Sequence, residues 1–152
     1  MKAIIVVDMW KDSRGPKTGY ETEYHADNII LAELISRILS YKMQDTDLYY
    51  TYYNNQSANT ISPTITDIPG IKPLHITDGT IDSIPEYDEY LLCGASLGVC
   101  MFNYSNQIKI SQPDSTVSNI INLSLPYPTE ADWINKTDAE YCTLYYGDIK
   151  YW

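Results

Sequence analysis

Basic residues are scarce in this chain of 152 residues. It has 10 Lys and Arg against 20 Asp and Glu, so its formal net charge at pH 7 is −10. A protein that follows a phosphate backbone needs clustered cations, because each phosphate contact requires a Lys or an Arg. We therefore expect no nucleic-acid partner.

Long apolar runs are also absent. The apolar stretch at residues 3–7 is too short for the hydrophobic region of a signal peptide. No other stretch approaches the roughly 20 residues of a membrane span. We expect no membrane association and a cytoplasmic location. The 15 Tyr against one Phe, with abundant Ile and Asn, suggest an AT-rich genome such as that of a virus, in which case the location is the host cytoplasm.

Cysteine and histidine are too few for a disulfide framework or a metal cluster. The three Cys are an odd number without an export signal, which favours free thiols. Neither His25 nor His75 has a second ligand at helical or turn spacing, so we expect no metal and no other cofactor. A Gly-rich loop ending in Lys and Ser or Thr is also missing, which argues against nucleotide binding.

The first third of the chain has the pattern of a parallel α/β unit within one domain, residues 1–152. Residues 3–7 are typical of a strand buried on both faces, and this strand stops at Asp8. A helix is predicted from Asp27 to about residue 44, with one broad apolar face made of Ile30, Leu31, Leu34, Ile35, Ile38 and Leu39. Residues 48–53 are predicted as the next strand, which implies a right-handed crossover.

The remaining elements complete the predicted fold class. Residues 11–24 and 54–70 are predicted as loops, and a turn at residues 94–96 leads into a short helix. The other expected elements are strands at residues 71–76, 90–93 and 107–111, a helix or strand at 117–125, and a hairpin at 141–152. The fold class is α/β, with three layers, a mostly parallel sheet flanked by helices, and a C-terminal β-hairpin.

Asp8 and Cys100 are the candidate chemical groups. Both map to the carboxyl ends of predicted strands, the edge at which open α/β sheets bind ligands. A cysteine at a helix N-terminus has its pKa lowered toward the thiolate, and a neighbouring carboxylate accepts the thiol proton. The alternative is that each thiol is a buried core residue, which is the interpretation we prefer for Cys93.

Residues 4–12 and 91–101 resemble two motifs of the isochorismatase-like cysteine hydrolases, a family that includes nicotinamidases. The resemblance implies a parallel sheet flanked by helices and a triad of Asp8 as base, Cys100 as nucleophile and Lys72 as the third member. It also implies an oxyanion hole in the turn that contains Ala95, Ser96 and Val99. The interval from Lys72 to Cys100 lacks a helical period, which leaves open that Lys72 is a surface lysine.

Two functions follow from these observations. The first is hydrolysis of a small amide or related carbonyl compound, with Trp10 and Tyr53 in the substrate pocket, stacked on a flat ligand. The second is a catalytically inactive binding protein of the same fold, of viral origin, that recognises a partner through its aromatic residues. The aromatic tail would expose an edge strand if left alone, so we also expect a homo-oligomer.

Overall fold

The computed structural model describes residues 1–9, 21–42, 45–54, 61–97, 100–126 and 149–150. The strands are β1 (Lys2–Val7), β2 (Thr46–Tyr53), β3 (Lys72–Thr77), β4 (Thr80–Ile81), β5 (Glu89–Leu97), β6 (Thr116–Pro126) and β7 (Ile149–Lys150). The helices are α1 (Glu21–Lys42), α2 (Pro63–Thr66) and α3 (Cys100–Ser111). The strands form one sheet in the order β4-β3-β2-β1-β5-β6-β7, in which only the β3–β4 pair is antiparallel.

The sheet is covered on both faces, as the predicted fold class requires. Successive side chains of a strand point to opposite faces, so Ile4 and Val6 of β1 join the core that includes buried residues of α1 and α2. Ile5 and Val7 join the second core, which lies against α3. The three-layer, mostly parallel α/β architecture is therefore confirmed, and β1 lies at its centre between β2 and β5.

Helix α1 differs from its prediction in length and in the width of its buried face. It begins at Glu21, inside the stretch predicted as a loop. Leu31, Ile35 and Leu39 are buried, whereas Ile30 is 65% exposed and Leu34 is 43% exposed. The stripe that repeats every four residues therefore makes the main contact with the sheet, because Ile30 and Leu34 are rotated from it by about 100° around the helix axis. Ala32 is buried beside this stripe, and Ile38 is partly buried against the same core.

The strand predicted at residues 107–111 is wrong, since these residues are the end of α3. Ile108 is fully buried and Ile110 is 81% exposed, although a strand would place both on one face. The buried set Met101, Tyr104 and Ile108 has the spacing of a helix face. The helix that follows Cys100 consequently has 12 residues rather than barely two turns.

Smaller corrections concern the loops and the tail. The stretch 54–70 contains the short helix α2, and the predicted turn at residues 94–96 lies within β5. Residues 117–125 lie in a strand, and β3 accommodates Pro73 because β4 pairs only with its end, at Ile76 and Thr77. In the predicted tail hairpin, residues 141–146 lie outside the described residues, and β7 pairs in parallel with β6.

No helix among the described residues is long and apolar enough to cross a membrane.

Candidate active site

Asp8 occupies the carboxyl end of the central strand. It follows Val7 directly, is 5% exposed, and has a φ of 48°, in the left-handed region. Asp is one of the few residues with a side chain that adopt this conformation readily, and strained backbone conformations cluster at functional sites. The turn at Asp8 therefore holds a carboxylate at the ligand-binding edge of the sheet.

Gly94 allows β5 to approach this turn closely. It pairs with Val7 in the parallel β1–β5 ladder and has a φ of 109°. A Cβ atom built on Gly94 would lie 2.2 Å from the carbonyl oxygen of Val7, which is closer than real contacts allow. Only glycine fits here, because any side chain would separate the two strands beside Asp8.

Strand β2 supplies two hydroxyl groups to Asp8. Thr51 is fully buried; its Oγ1 accepts a hydrogen bond from the Asp8 backbone N–H at 3.0 Å and donates one to Asp8 Oδ1 at 3.0 Å. The Tyr53 hydroxyl donates a third hydrogen bond, also to Oδ1, at 2.7 Å. Thr51 and Tyr53 are two positions apart on one strand and so face the same side of the sheet.

Cys100 is a further contact of Asp8. It is the first residue of α3, is half-buried, and its side chain forms a hydrogen bond with the Asp8 carboxyl group. The structure thus brings the two candidate residues together across 92 positions of sequence. This contact exists because α3 starts where β5 ends, next to β1 at the same edge of the sheet.

The environment of Asp8 acts on its charge in two directions. Burial raises the pKa of Asp8 above its ordinary value, and the hydrogen bonds from Tyr53, Cys100 and Thr51 lower it, with burial prevailing. Among the described residues, Asp8 forms no ion pair with a Lys, Arg or His. A carboxyl group whose pKa lies closer to neutral pH is better suited to take and return a proton.

Tyr104 extends the network on the side of α3. Its hydroxyl forms a hydrogen bond with the hydroxyl of Tyr53. Tyr104 is one turn beyond Cys100 on the helix, so both side chains face the sheet. Burial, followed by the nearby charge of Asp8, raises the pKa of Tyr104, and this phenol is therefore neutral at physiological pH.

Lys72, predicted as the third member of the triad, lies away from Asp8 and Cys100 in the structure. It is the first residue of β3, at the opposite end of the strand from the edge that holds Asp8. Its Nζ atom is 3.8 Å from Asp47 Oδ1 and 5.9 Å from the centre of the Tyr49 ring, and the side chain is 58% exposed. The surface-lysine alternative describes this position, because β3 runs parallel to β1 and starts at the amino edge.

The other predicted site residues are placed only in part. Ala95 is buried in β5, and Ser96 follows it in the same strand, directly before the segment that leads to Cys100. Trp10 and Val99 lie outside the described residues. Burial raises the pKa of Cys93 to about 12, so this thiol is an inert core residue at neutral pH.

Metal ligands do not gather in the described part of the chain, where no group of three His, Cys, Asp or Glu side chains could hold an ion. After β2, the side chain of Asn54 instead forms hydrogen bonds with Asp82, His75 and Thr77.

Thr51 and Tyr104 contribute to the site but are not predicted from the sequence. Two signals for them are nevertheless present. Thr51 lies two positions before Tyr53, on the same face of β2, and Tyr104 follows Cys100 by four positions, on the same face of a helix. The second signal depends on recognising residues 100–111 as one helix.

No family model and no curated protein matches this sequence, but solved structures do. A pyrazinamidase/nicotinamidase from Streptococcus mutans matches with a TM-score of 0.63 and 10% identity, covering 99% of this chain and 100% of that chain. An isochorismatase-like hydrolase from Alkaliphilus metalliredigens matches with a TM-score of 0.60 and 13% identity, covering 99% and 86%. A MAR1 ribonuclease from Caenorhabditis elegans matches with a TM-score of 0.64 and 13% identity, covering 99% and 76%.

These similarities define the class of the fold. The chain has the α/β fold of the isochorismatase-like hydrolases, to which nicotinamidases also belong, and the predicted resemblance is confirmed at that level. At 10–13% identity the activities of these proteins do not transfer with the fold. Function depends on the side chains of the site, here Asp8 and Cys100.

Proposed function

We propose that this protein is a cysteine-dependent hydrolase of a small amide or related carbonyl compound, with Cys100 as nucleophile and Asp8 as base. The observation that supports the proposal is the hydrogen bond between Cys100, at the start of α3, and the buried carboxyl group of Asp8. A nucleophile in contact with its base is the minimum arrangement for covalent catalysis.

The first half of the proposed reaction forms an acyl-enzyme. The Cys100 sulfur attacks the carbonyl carbon while Asp8 accepts the thiol proton, so that an S–C bond forms and the carbonyl oxygen becomes an oxyanion. Backbone N–H groups of residues 96–100, which connect the end of β5 to the start of α3, are proposed to stabilise this oxyanion. When the tetrahedral intermediate collapses, the C–N bond breaks and protonated Asp8 returns its proton to the departing nitrogen.

The second half of the reaction regenerates the enzyme. Asp8 takes a proton from a water molecule, the resulting hydroxide attacks the thioester carbon, and the S–C bond breaks. The Cys100 sulfur recovers the proton from Asp8, and the products are a carboxylic acid and an amine or ammonia. Asp8 is thus protonated twice and deprotonated twice in each cycle, which its raised pKa favours.

A small, flat substrate is the proposed ligand class. One of the structures with this fold is a pyrazinamidase/nicotinamidase, an enzyme named for compact aromatic amides. Tyr53 lies in the site and bonds to Asp8, which allows its ring to border a bound ligand while its hydroxyl holds the carboxylate. Trp10 is proposed as a second pocket residue because it follows Asp8 by two positions.

The test is site-resolved labelling of the native protein with iodoacetamide across pH 5–10. We expect Cys100 to be modified well below pH 8.5, the region in which an ordinary thiol ionises. Cys93 serves as an internal control that stays protected, because it is fully buried. A panel of small aromatic amides, assayed for ammonia release with Cys100→Ser as the blank, then tests hydrolysis.

The second candidate function is a binding protein that has the fold without the activity. The specific observation in its favour is that, among the described residues, no cation pairs with Asp8, while Lys72 pairs with Asp47. This candidate predicts ordinary or absent Cys100 labelling, no ammonia release from any amide, and a thermal shift on ligand binding that Cys100→Ser leaves unchanged.

A further inference from the structure

The hydroxyl groups of Tyr53 and Tyr104 form a chain that ends on Asp8. Tyr53 has a single O–H proton, and its 2.7 Å contact with Asp8 Oδ1 uses this proton, because a carboxylate can only accept. The hydroxyl of Tyr53 must then accept in its contact with Tyr104. The direction of donation is therefore fixed as Tyr104 to Tyr53 to Asp8.

This chain of hydroxyl groups links α3, which begins with the proposed nucleophile, to β2, the neighbour of the strand that ends at the proposed base. Tyr53 lies on β2, whereas Tyr104 lies on α3, one turn after Cys100. Tyr104 is buried, and its bond to Tyr53 ties the first turns of α3 to the strand that supports Asp8. A displacement of α3 would consequently disturb both the Cys100 contact and the donor to Oδ1.

Among the described groups that face Asp8, the hydroxyl chain of Tyr53 and Tyr104 is the main polar influence on the charge of its carboxyl group. The titratable side chains around Asp8 in the described part of the chain are Tyr53 from β2, and Cys100 and Tyr104 from α3. Thr51 adds a neutral hydroxyl, and β5 presents the backbone of Gly94. Among the described residues, the buried carboxylate of Asp8 is thus stabilised by hydrogen-bond donors and not by an ion pair.

We propose that Tyr53 and Tyr104 are positioning residues, acting in series, that hold the Asp8 carboxylate ready to accept the Cys100 proton, where no Lys, Arg or His in the described part of the chain pairs with it. The inference rests on the proposed hydrolase function for its catalytic meaning. It concerns neither substrate contact nor chemistry at the tyrosines themselves, since both phenols stay protonated.

The direct test follows the titration of Asp8 by NMR of protein labelled with ¹³C at the aspartate carboxyl carbons, with Asp8→Asn to assign the signal. Tyr53→Phe is expected to raise the pKa of Asp8 by about one unit, the value of one lost hydrogen bond to a charged group. Tyr104→Phe is expected to raise it by less, because Tyr53 still donates. The double variant should match Tyr53→Phe alone, since the two act in series.

Tyr49→Phe is the matched control. Tyr49 lies on the same strand and the same face as Tyr53, and its hydroxyl bonds to that of Tyr87, which donates to Asp47. This second tyrosine-to-carboxylate chain is at the other end of β2, away from Cys100. Its loss should leave the titration of Asp8 unchanged, which separates a local effect from general loosening of the sheet.

The inference is overturned if Tyr53→Phe leaves or lowers the pKa of Asp8, if Tyr104→Phe raises it as much, or if the two effects add. Should Tyr53→Phe fail to fold, the smaller rise in Tyr104→Phe must still be seen. The titration needs no turnover, so inert Cys100 together with the predicted shifts would reject the hydrolase alone. Amide hydrolysis without these shifts would reject the tyrosine chain alone.

Discussion

Replacement of Gly94 by alanine should be far more damaging than the same change at Gly70. At Gly94 the added Cβ would lie 2.2 Å from the Val7 oxygen and 2.9 Å from the Val7 nitrogen, and both atoms belong to the backbone of the central strand. Backbone atoms cannot rotate away as a flexible side chain would. The β1 and β5 strands must therefore separate until the contact exceeds 3.0 Å.

The magnitude follows from two contributions at Gly94. Holding alanine at a φ of 109° costs about 1–3 kcal/mol. Separating the strands weakens two or so ladder hydrogen bonds, each worth about 1 kcal/mol. The sum is about 4 kcal/mol, which corresponds to a fall in Tm of about 12 °C for a chain of this size.

Gly70→Ala is the matched control because it isolates the backbone contribution. Gly70 has a φ of 79°, and no heavy atom lies within 4 Å of the position that its Cβ would take. Its expected cost is about 1 kcal/mol. Urea unfolding monitored by circular dichroism measures both values, and equal losses of stability in the two variants would refute the argument from close strand approach.

Two further predictions concern Asp8 and α3. Asp8→Asn should be more stable than the native protein at pH 7 and should gain less at pH 4. The pKa of Asp8 is higher in the folded state than its unfolded value of about 3.9, so the folded state binds more protons than the unfolded state and loses stability as the pH rises between the two pKa values. Urea unfolding of both proteins at pH 4, 5.5 and 7 checks the sign. A larger gain at pH 4 would contradict it. Ile108→Ala should lower the free energy of unfolding by about 2–5 kcal/mol and Ile110→Ala by less than about 0.5 kcal/mol, because of the two side chains only that of Ile108 is buried. Similar losses of stability in urea unfolding would contradict the helical assignment of residues 107–111.

The central part of the fold is predictable from local pattern. A continuous apolar run that stops at an acidic residue describes β1 and Asp8, since a strand buried on both faces consists mostly of apolar residues. The end of α3 is not predictable in the same way. Ile108 and Ile110 alternate with polar residues, and a five-residue window cannot distinguish this alternation from one turn of a helix with an exposed Ile.

The sequence by itself determined the α/β class, the carboxylate at the end of the first strand, and the thiol that follows the glycine of β5. Each of these depends on residues that are neighbours in the chain. Only the tertiary structure decided which side chains meet: Tyr53 and Tyr104 contact the Asp8 network, and Lys72 lies at the other edge. Strand order and register set these distances, and both arise from pairing between segments far apart in the chain.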